Sequence, residues 1–272
     1  MVRASTSCIP SSSPSPMSAS NPAADASPMI SIVVPVLNEE KLLEASLAVF
    51  SRGLRERYRA ELIVSDGGST DSSLDIARRH ADRVVVHSEL RRQTIAEGRN
   101  RGAAEARGDV IVFINGDTVP ANPEVFFATV GDFAQRRGDY RRATALACPV
   151  NVAPAERRGA DSAFHTFYNT YVRFLSLLRI GAGRGECQVV RRDAFESVGG
   201  YREGLAAGED FDLFARIGLR ARVRFAPELL VYESPRRFRK FGYLRVLYWW
   251  TINALSVMFR GRSSSDEWEP VR

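Results

Sequence analysis

Val110-Ile111-Val112-Phe113-Ile114 is followed directly by Asn115-Gly116-Asp117, and this segment is the strongest indication of how the chain folds. Five apolar, mostly β-branched residues between turn residues predict a strand that is buried on both faces. A carboxylate at the carboxyl end of such a strand lies where the loops of an open α/β sheet form a ligand-binding crevice. Asn-Gly is also a two-residue hairpin signal, and in a hairpin Asp117 would only stabilise the turn.

The residues that follow favour the crevice over the hairpin. Asn122-Pro123-Glu124 is typical of a helix start, with Asn122 as the N-cap and Pro123 at the first helical position. The apolar positions of this helix are Val125, Phe126, Val130 and Phe133. A hairpin needs a returning strand, and the sequence predicts a helix instead. We therefore expect Asp117 to face a ligand.

Upstream of this stretch, strand and helix patterns alternate. Residues 30–36, 61–65 and 83–87 read as strands. One helix is expected to start at Asn38, a second to follow residues 66–71 and end at about His80, and a third to run from about Gln93 to Ala106. The first helix is expected to be capped by Asn38 and to bury Leu43, Leu47, Phe50 and Leu54. Repeated β-α units of this length predict an α/β fold, with a doubly wound, mostly parallel sheet and flanking helices.

Composition separates the folded part from its ends. With 272 residues, 44% hydrophobic and 26% charged, the chain can build a full core. Residues 1–28 are rich in Ser, Pro and Ala and are expected to be disordered, without the apolar core of a secretory signal. Met29 directly precedes the first strand, so we hypothesise that it is the true start. We expect a folded domain over 29–235 and a basic, amphipathic helical extension over 236–272.

Charge and cysteine content narrow the partners and the compartment. The net charge is +6, but nearly all basic residues are Arg, with Lys only at Lys41 and Lys240, which resembles a codon bias more than a phosphate-binding surface. We therefore expect no nucleic-acid partner. Three widely spaced cysteines, Cys8, Cys148 and Cys187, indicate neither a disulfide framework nor a zinc site. A reducing cytoplasm fits best.

The strand ends exclude the commonest ligand of such a crevice. The first turn reads Leu37-Asn38-Glu39-Glu40 and lacks the Gly-x-Gly-x-x-Gly of dinucleotide-binding enzymes, and no phosphate loop is present. What the predicted strand ends carry instead is polar and acidic: Asn38, Glu39, Asp66 and Asp117. Carboxylates of this kind can accept hydrogen bonds from a base and a ribose, and one of them can share a divalent cation with a diphosphate.

Five motifs together resemble the family-two glycosyltransferases with the GT-A fold. The family's donor half is matched by residues 34–40, by Val64-Ser65-Asp66-Gly67-Gly68-Ser69-Thr70-Asp71, and by Gly98-Arg99-Asn100 with Ala106-Arg107-Gly108-Asp109. Asn115-Gly116-Asp117 stands where the family has Asp-x-Asp. Gly199-Gly200-Tyr201, followed by residues 208–213, matches the acceptor half. The resemblance covers Met29 to about Pro235, and the ordered set is far more specific than any single motif.

The resemblance implies an inverting transfer from a nucleotide-diphosphate sugar to an acceptor hydroxyl, assisted by Mn²⁺ or Mg²⁺. It assigns the donor to Pro35, Asn38, Glu39, Asp66, Arg99, Asn115 and Asp117, the metal to Asp117, and catalysis to the pair Glu209 and Asp210. In these roles Arg99 approaches the diphosphate and Asp210 is the general base. Asn115 departs from the family, because its amide can still accept from a ribose hydroxyl but carries no charge near the metal.

Each residue also has a purely structural interpretation. Asn38 is a suitable helix cap, and Glu209 and Asp210 are favoured at a helix N-terminus by the macrodipole. The aromatic stripe of Phe164, Phe167, Tyr168, Tyr171, Phe174 and Leu178 is more often core than a sugar platform, and His87 and His165 lack partner spacing. Residues 181–186 are expected to form a flexible loop that closes over donor or acceptor. A catalytically silent nucleotide- or membrane-binding module is the alternative function.

The C-terminal segment has two interpretations. Residues 236–241 are strongly basic, and residues 243–259 are apolar, rich in aromatic side chains, but interrupted by Arg245 and Asn253. The stretch is shorter than the ~20 residues of a spanning helix. It is expected either to lie on an anionic membrane, with the basic run as its flank, or to pack on the core. A membrane contact through 236–260 would place the enzyme at the inner face of the cell membrane with a lipid-linked acceptor.

Overall fold

The computed structural model describes Met1, residues 29–265 and Val271. The disorder expected for residues 1–28, and Cys8 within them, therefore fall outside the described residues except at Met1. The strands of the described part are β1 (Ile30–Val36), β2 (Ala60–Asp66), β3 (Arg83–Val86), β4 (Val110–Ile114), β5 (Thr118–Pro120), β6 (Ala145–Ala147), β7 (Val150–Val152), β8 (Cys187–Arg191), β9 (Val223–Phe225) and β10 (Val231–Glu233). Its α-helices are α1 (Glu40–Ala48), α2 (Arg52–Arg57), α3 (Ser73–His80), α4 (Ile95–Glu105), α5 (Pro123–Ala134), α6 (Gly159–Leu177), α7 (Arg192–Ser197), α8 (Glu209–Gly218), α9 (Arg236–Phe241) and α10 (Tyr243–Arg260).

The central sheet confirms the expected α/β architecture. Its strand order is β3-β2-β1-β4-β8-β6-β9, and β1 runs parallel to both β2 and β4. All five residues of β4 are buried, since helices cover both faces of the sheet. The chain leaves β1 toward β2 and β3 on one side and returns to β4 on the other. The crevice of an open α/β sheet lies at this kind of switch point, between β1 and β4.

The register brings the predicted loops to one edge of the sheet. Val36 at the end of β1 pairs with Asp66 at the end of β2, and β4 runs alongside in the same direction. β8 is antiparallel to β4, with Ile114 opposite Cys187. The loop that precedes β8 therefore meets the loops that follow β1, β2 and β4. This edge carries residues of both predicted halves of the site.

The hairpin interpretation of Asn115-Gly116 is wrong. A short strand, β5, does follow, but it pairs with β10 in a separate three-stranded sheet of order β5-β10-β7 and not with β4. α5 then begins at Pro123, and the side chain of Asn122 accepts from the amide of Val125 at 3.1 Å, as expected of the cap. Of the apolar positions predicted for this helix, Val125 is exposed, whereas the other three are buried.

The predicted cap of the first helix is also wrong. α1 begins at Glu40, and Asn38 precedes it with a φ of +54°, a left-handed conformation that Asn tolerates better than most residues. Its side-chain oxygen instead accepts from the amide of Thr70 at 2.7 Å and so ties the first loop to the second. The helix ends at Ala48, and a second helix starts at Arg52 with Ser51 as its cap, so Leu54 lies in α2.

The C-terminal helices pack on α6. Phe164 of α6 forms a small core with Phe238 and Val246, and the ring of Tyr168 lies 5.5 Å from that of Trp250. Contacts thus cross position 235, the boundary expected between the domain and its extension. The aromatic stripe of α6 is split by this packing, because Phe164 is buried whereas Phe167 is 60% exposed. No helix among the described residues is long and apolar enough to cross a bilayer.

Candidate active site

Two adjoining cavities open at the carboxyl edge of the sheet. The larger has a volume of about 410 Å³ and the smaller about 140 Å³. Both are lined by Ile95, Asn115, Glu186 and Trp250, so they share a wall. A larger and a smaller compartment that meet in this way suit two reactants that must be brought together.

The larger cavity is lined by most of the residues that the sequence assigned to the donor. Pro35, Glu39, Asn115 and Asp117 lie on its wall. Burial raises the pKa of the Asp117 carboxyl group, Arg236 opposes this shift, and the nearby Glu186 adds to it. Arg236 donates through Nη2 to both carboxylate oxygens of Glu39 at 2.6 Å and to Oδ2 of Asp117 at 3.1 Å. The guanidinium of Arg236 therefore holds two acidic side chains that come from separate loops.

Two predicted donor residues lie behind this wall. Asp66 is 1% exposed, and its Oδ1 accepts from the amides of Gly68 and Ser69 at 3.0 and 2.9 Å. Its neighbours Ser65 and Gly67 line the cavity. Asn38 is engaged with Thr70, and its own amide donates to the Ser69 hydroxyl at 2.8 Å. Both side chains therefore stabilise the turn that borders the cavity.

Arg99 lies between the two cavities, away from the position expected for a diphosphate ligand. Its side chain is 1% exposed and donates to Glu209 Oε1 at 2.8 Å, to Asn115 Oδ1 at 3.0 Å and to the Gly185 carbonyl at 2.6 Å. It lines only the smaller cavity. A buried guanidinium with these partners connects the loop after β4 to the start of α8. The side-chain oxygen of Asn115, which also lines the larger cavity, accepts one of its hydrogen bonds.

The smaller cavity carries the acidic pair at the start of α8. Gly208 precedes the helix with a φ of +83°, and Glu209 and Asp210 follow within its first turn. Burial raises the pKa of Asp210, and it raises that of Glu209 to about 7 with the help of the neighbouring Asp210 and against Arg99. A Cβ added to Gly185 would lie 2.7 Å from Asp210 Oδ2, so only glycine leaves this carboxylate its place.

The motif Gly199-Gly200-Tyr201 supports the backbone of this acidic pair through Gln188. The Tyr201 hydroxyl donates to Gln188 Oε1 at 2.7 Å, and Gln188 Nε2 donates to the carbonyl of Asp210 at 3.0 Å. Asn100 in turn holds the backbone of Tyr201, accepting from its amide and donating to its carbonyl. Motifs that lie about 100 residues apart in sequence thus form one scaffold behind Asp210.

The loop of residues 181–186 is packed in place, although the sequence favoured a flexible closing loop. Arg184 is 3% exposed and donates to Glu186 Oε1 at 3.0 Å, to Glu233 Oε1 at 2.7 Å and to His165 Nδ1 at 3.0 Å. Burial, with Arg184 close by, lowers the pKa of His165 to about 3, which keeps the imidazole neutral as an acceptor. His165 is therefore structural, as the sequence indicated. The Glu186 carbonyl accepts from the amide of Asn115 at 3.1 Å.

Several residues of the larger cavity were missed by sequence reasoning. Arg92, Gln93, Glu233, Arg236 and Arg237 all line it, as does Glu186, which belongs to the loop expected to close over donor or acceptor. Gln93 is 7% exposed, and its Nε2 lacks a hydrogen-bond partner within the described residues, so it offers a donor there. In the sequence Arg236 and Arg237 are visible only as part of a basic run, which was expected either to flank a membrane contact or to belong to a segment packed on the core. The basic run does not form one continuous surface, because Arg236 and Arg237 line the cavity whereas Arg239 pairs with Asp161 at 2.6 Å.

The chain matches the model of "Glycosyl transferase family 2" over residues 31–199, and that of "Glycosyltransferase like family 2" over residues 156–253. A PGL/p-HBAD biosynthesis glycosyltransferase of Mycobacterium bovis is 36% identical over 96 residues, which cover 34% of this chain and 36% of that protein. The matched part spans 20% of a validoxylamine A glucosyltransferase of Streptomyces hygroscopicus. The chain thus spans about a third or less of the length of these curated relatives.

Solved structures with the same architecture support the fold. A mannosyltransferase of Pyrobaculum calidifontis, in complex with GDP-Man and Mn²⁺, has a TM-score of 0.59 at 21% identity and covers 77% of this chain and 58% of its own. A glucosyl-3-phosphoglycerate synthase of Mycobacterium tuberculosis, in complex with Mn²⁺, UDP and phosphoglyceric acid, has a TM-score of 0.58 at 22% identity, with coverages of 88% and 80%. At these identities the likeness establishes the GT-A fold.

Proposed function

Because the chain belongs to glycosyl transferase family 2, we propose that it is an enzyme that transfers a sugar from a nucleotide-diphosphate donor to an acceptor hydroxyl, with inversion. The observation that carries the proposal is the shared wall between two cavities, with Asp117 on the larger one and Asp210 on the smaller one. The donor occupies the larger cavity and the acceptor the smaller. The acceptor oxygen then attacks from the side opposite the departing diphosphate, which inverts the configuration.

Asp210 is the general base in this mechanism. Its carboxylate takes the proton of the acceptor hydroxyl as the new bond forms, and burial helps it, because the raised pKa makes the carboxylate a stronger base. Glu209 keeps Arg99 in place through their 2.8 Å contact and thereby fixes Asn115 at the donor side. The aromatic rings of Tyr168 and Trp250 form part of the acceptor wall.

The donor is held by side chains from four segments. Pro35 and Glu39 of the first loop and Gln93 border the base and ribose, with Asn38 and Asp66 keeping the adjoining turn in shape. Arg92, Arg236 and Arg237 face the diphosphate across the same cavity. Guanidinium groups bind phosphate oxygens in a bidentate manner, so three of them can hold two phosphates. The nucleotide sugars in structures of the same fold make this occupant the natural one.

A divalent cation, Mn²⁺ or Mg²⁺, fits the residues at Asp117. Within the described residues, no group of three or more His, Cys, Asp or Glu side chains is arranged to hold a metal alone. Mg²⁺, however, is commonly bound by one or two carboxylates that share it with substrate phosphates. Asp117 provides such a carboxylate on the wall of the larger cavity. When bound, the metal neutralises the departing diphosphate.

A donor-hydrolysis screen tests the proposed activity. Incubating the protein with several UDP- and GDP-sugars and Mn²⁺ is expected to release nucleoside diphosphate from one of them, because water replaces a missing acceptor slowly in an active site. The Asp210→Asn variant serves as the control for a contaminating hydrolase. A silent binding module would bind a nucleotide sugar in a calorimeter but release no diphosphate, and that pattern would contradict the proposal.

The acceptor, we further propose, is a lipid or lipid-linked sugar, reached at the cytoplasmic face of the cell membrane. Most large apolar side chains that are exposed in the described part of the chain lie on α6 and α10, among them Phe167, Phe174, Leu244 and Phe259. α10 contains no acidic residue, and Arg245 and Arg260 are exposed on it. An exposed apolar face with only positive charges suits an anionic bilayer, where each basic residue contributes ~1 kcal/mol. The opposite side of α10 lines the acceptor cavity.

Liposome flotation tests this contact. Replacing Tyr248 and Phe259 on α10 by Glu is expected to abolish binding to anionic vesicles at low salt, because a charge on the apolar face cannot enter the bilayer. Leu219→Glu is the matched control, since Leu219 is 87% exposed at the end of α8 and should be dispensable. Equal losses in both variants, or wild-type protein that stays with the buffer, would leave α10 as core packing alone.

A further inference from the structure

Arg236 holds the two acidic side chains on which the donor site depends. It is the first residue of α9, and its guanidinium contacts Glu39 from the loop after β1 and Asp117 from the loop after β4. All three side chains are mostly buried, with exposed fractions of 22%, 17% and 21%. They line the larger cavity together. The contact therefore lies at the metal and nucleotide positions of the proposed function.

This ion pair is incompatible with a metal ion on Asp117. A divalent cation on that carboxylate would lie close to a guanidinium that is 3.1 Å from Oδ2, in a mostly buried place where like charges repel strongly. Without a cation, the two carboxylates would in turn repel each other across the cavity. Arg236 thus takes the place beside Asp117 that a metal would need, and it has to leave Asp117 before a metal can bind.

A diphosphate provides the place to which Arg236 can move. The fork of its guanidinium matches phosphate as well as carboxylate, and its long side chain lies on the same cavity wall as Arg92 and Arg237. We propose that Arg236 passes from Asp117 to the donor diphosphate when the nucleotide binds, so that the divalent cation and the nucleoside diphosphate bind cooperatively and each binds weakly alone. This inference rests on the proposed function and adds the coupling between its two ligands.

Titration calorimetry of three variants tests the coupling. For Arg236→Gln, Mn²⁺ without nucleotide is expected to bind about tenfold tighter than to the wild type, because the competing cation is gone; couplings of this order are common. The gain in Mn²⁺ affinity on adding UDP or GDP, whichever binds, should shrink correspondingly. Arg236→Lys keeps the charge and should keep Mn²⁺ weak, yet bind the nucleotide less tightly. Arg141→Gln removes an equal charge from an exposed surface position and should behave as wild type.

The possible outcomes separate this inference from the proposed function. Unchanged or weaker binding of Mn²⁺ alone in Arg236→Gln, with an unchanged melting temperature, would overturn the exchange, since Arg236 would then support the metal site. A variant that no longer folds is replaced by Arg236→Met, which keeps the length of the stem. If neither UDP nor GDP bound the wild type, the proposed function would fail, whereas the Mn²⁺ titrations would still decide whether Arg236 competes for Asp117.

Discussion

Replacing Asp210 by Asn is expected to lower the turnover number by about two to four orders of magnitude, the range for losing a general base. Donor and metal affinity should remain nearly unchanged, because Asp210 lines the smaller cavity and not the larger one. The amide keeps the shape of the carboxylate beside Gly185 but cannot take a proton. Steady-state kinetics with the donor found in the hydrolysis screen, together with calorimetric binding of that donor, measures both quantities.

Glu209→Gln is the matched control, since it makes the same chemical change one residue away. Its turnover should fall less, although its melting temperature should fall more, because the variant leaves the Arg99 guanidinium buried without its carboxylate at 2.8 Å. If Glu209→Gln loses more turnover than Asp210→Asn while it stays folded, the roles within the pair are reversed. A parallel loss of donor affinity in Asp210→Asn would move that residue to the donor site.

The pH dependence of turnover gives an independent measurement on the same residue. A general base acts only when ionised, so turnover in the wild type should decrease as the pH falls through the raised pKa of Asp210. The limb should extend up to about pH 7, where the coupled Glu209 titrates. In Asp210→Asn the residual activity should lose most of this limb. A variant that keeps the full limb would assign it to another group.

The lining of the larger cavity, the proposed donor site, was largely predictable because its sequence signals are local. β4 is a continuous apolar run, and β1 is apolar except for Ser31. The polar residue after each strand must emerge at the same edge once the strands are parallel. Asp117 and Glu39 lie on the larger cavity as expected. The Asn38 cap was wrong for an equally local reason, because a side chain that can cap a helix can also bond to a neighbouring loop, and composition does not distinguish the two.

Arg236 shows what the sequence alone does not contain. It lies 197 positions from Glu39, and no periodic pattern links the two. Its neighbours in sequence are also basic, which suggested one membrane flank, but α9 directs Arg236 and Arg237 to the cavity and Arg239 to Asp161. The sequence pattern of the aromatic stripe on α6 likewise did not show which of its residues are buried. α10 covers Phe164 and leaves Phe167 exposed, and only the tertiary packing decides which face is covered.

Replacing Asp117 by Ala is expected to abolish donor binding that depends on a divalent cation, because it removes the only carboxylate of the Asn115-Gly116-Asp117 motif. The fold should survive, since Arg236 retains both of its 2.6 Å contacts to Glu39. Calorimetry of UDP and GDP with and without Mn²⁺ measures the effect. Asp117→Ala should give the same weak affinity in both conditions, whereas the wild type should bind more tightly with the metal.

Asn115→Asp is the companion variant, and it should be tolerated. The amide oxygen of Asn115 already accepts from Arg99 at 3.0 Å, and a carboxylate of the same shape can accept from the same guanidinium with a stronger, charge-assisted bond. It also restores the commoner Asp-x-Asp pattern. Metal-dependent binding that persists in Asp117→Ala would refute the metal site. A complete loss of activity in Asn115→Asp would show that the neutral amide is required. The reason would be that a carboxylate at position 115 competes with Glu209 for the positive charge of Arg99.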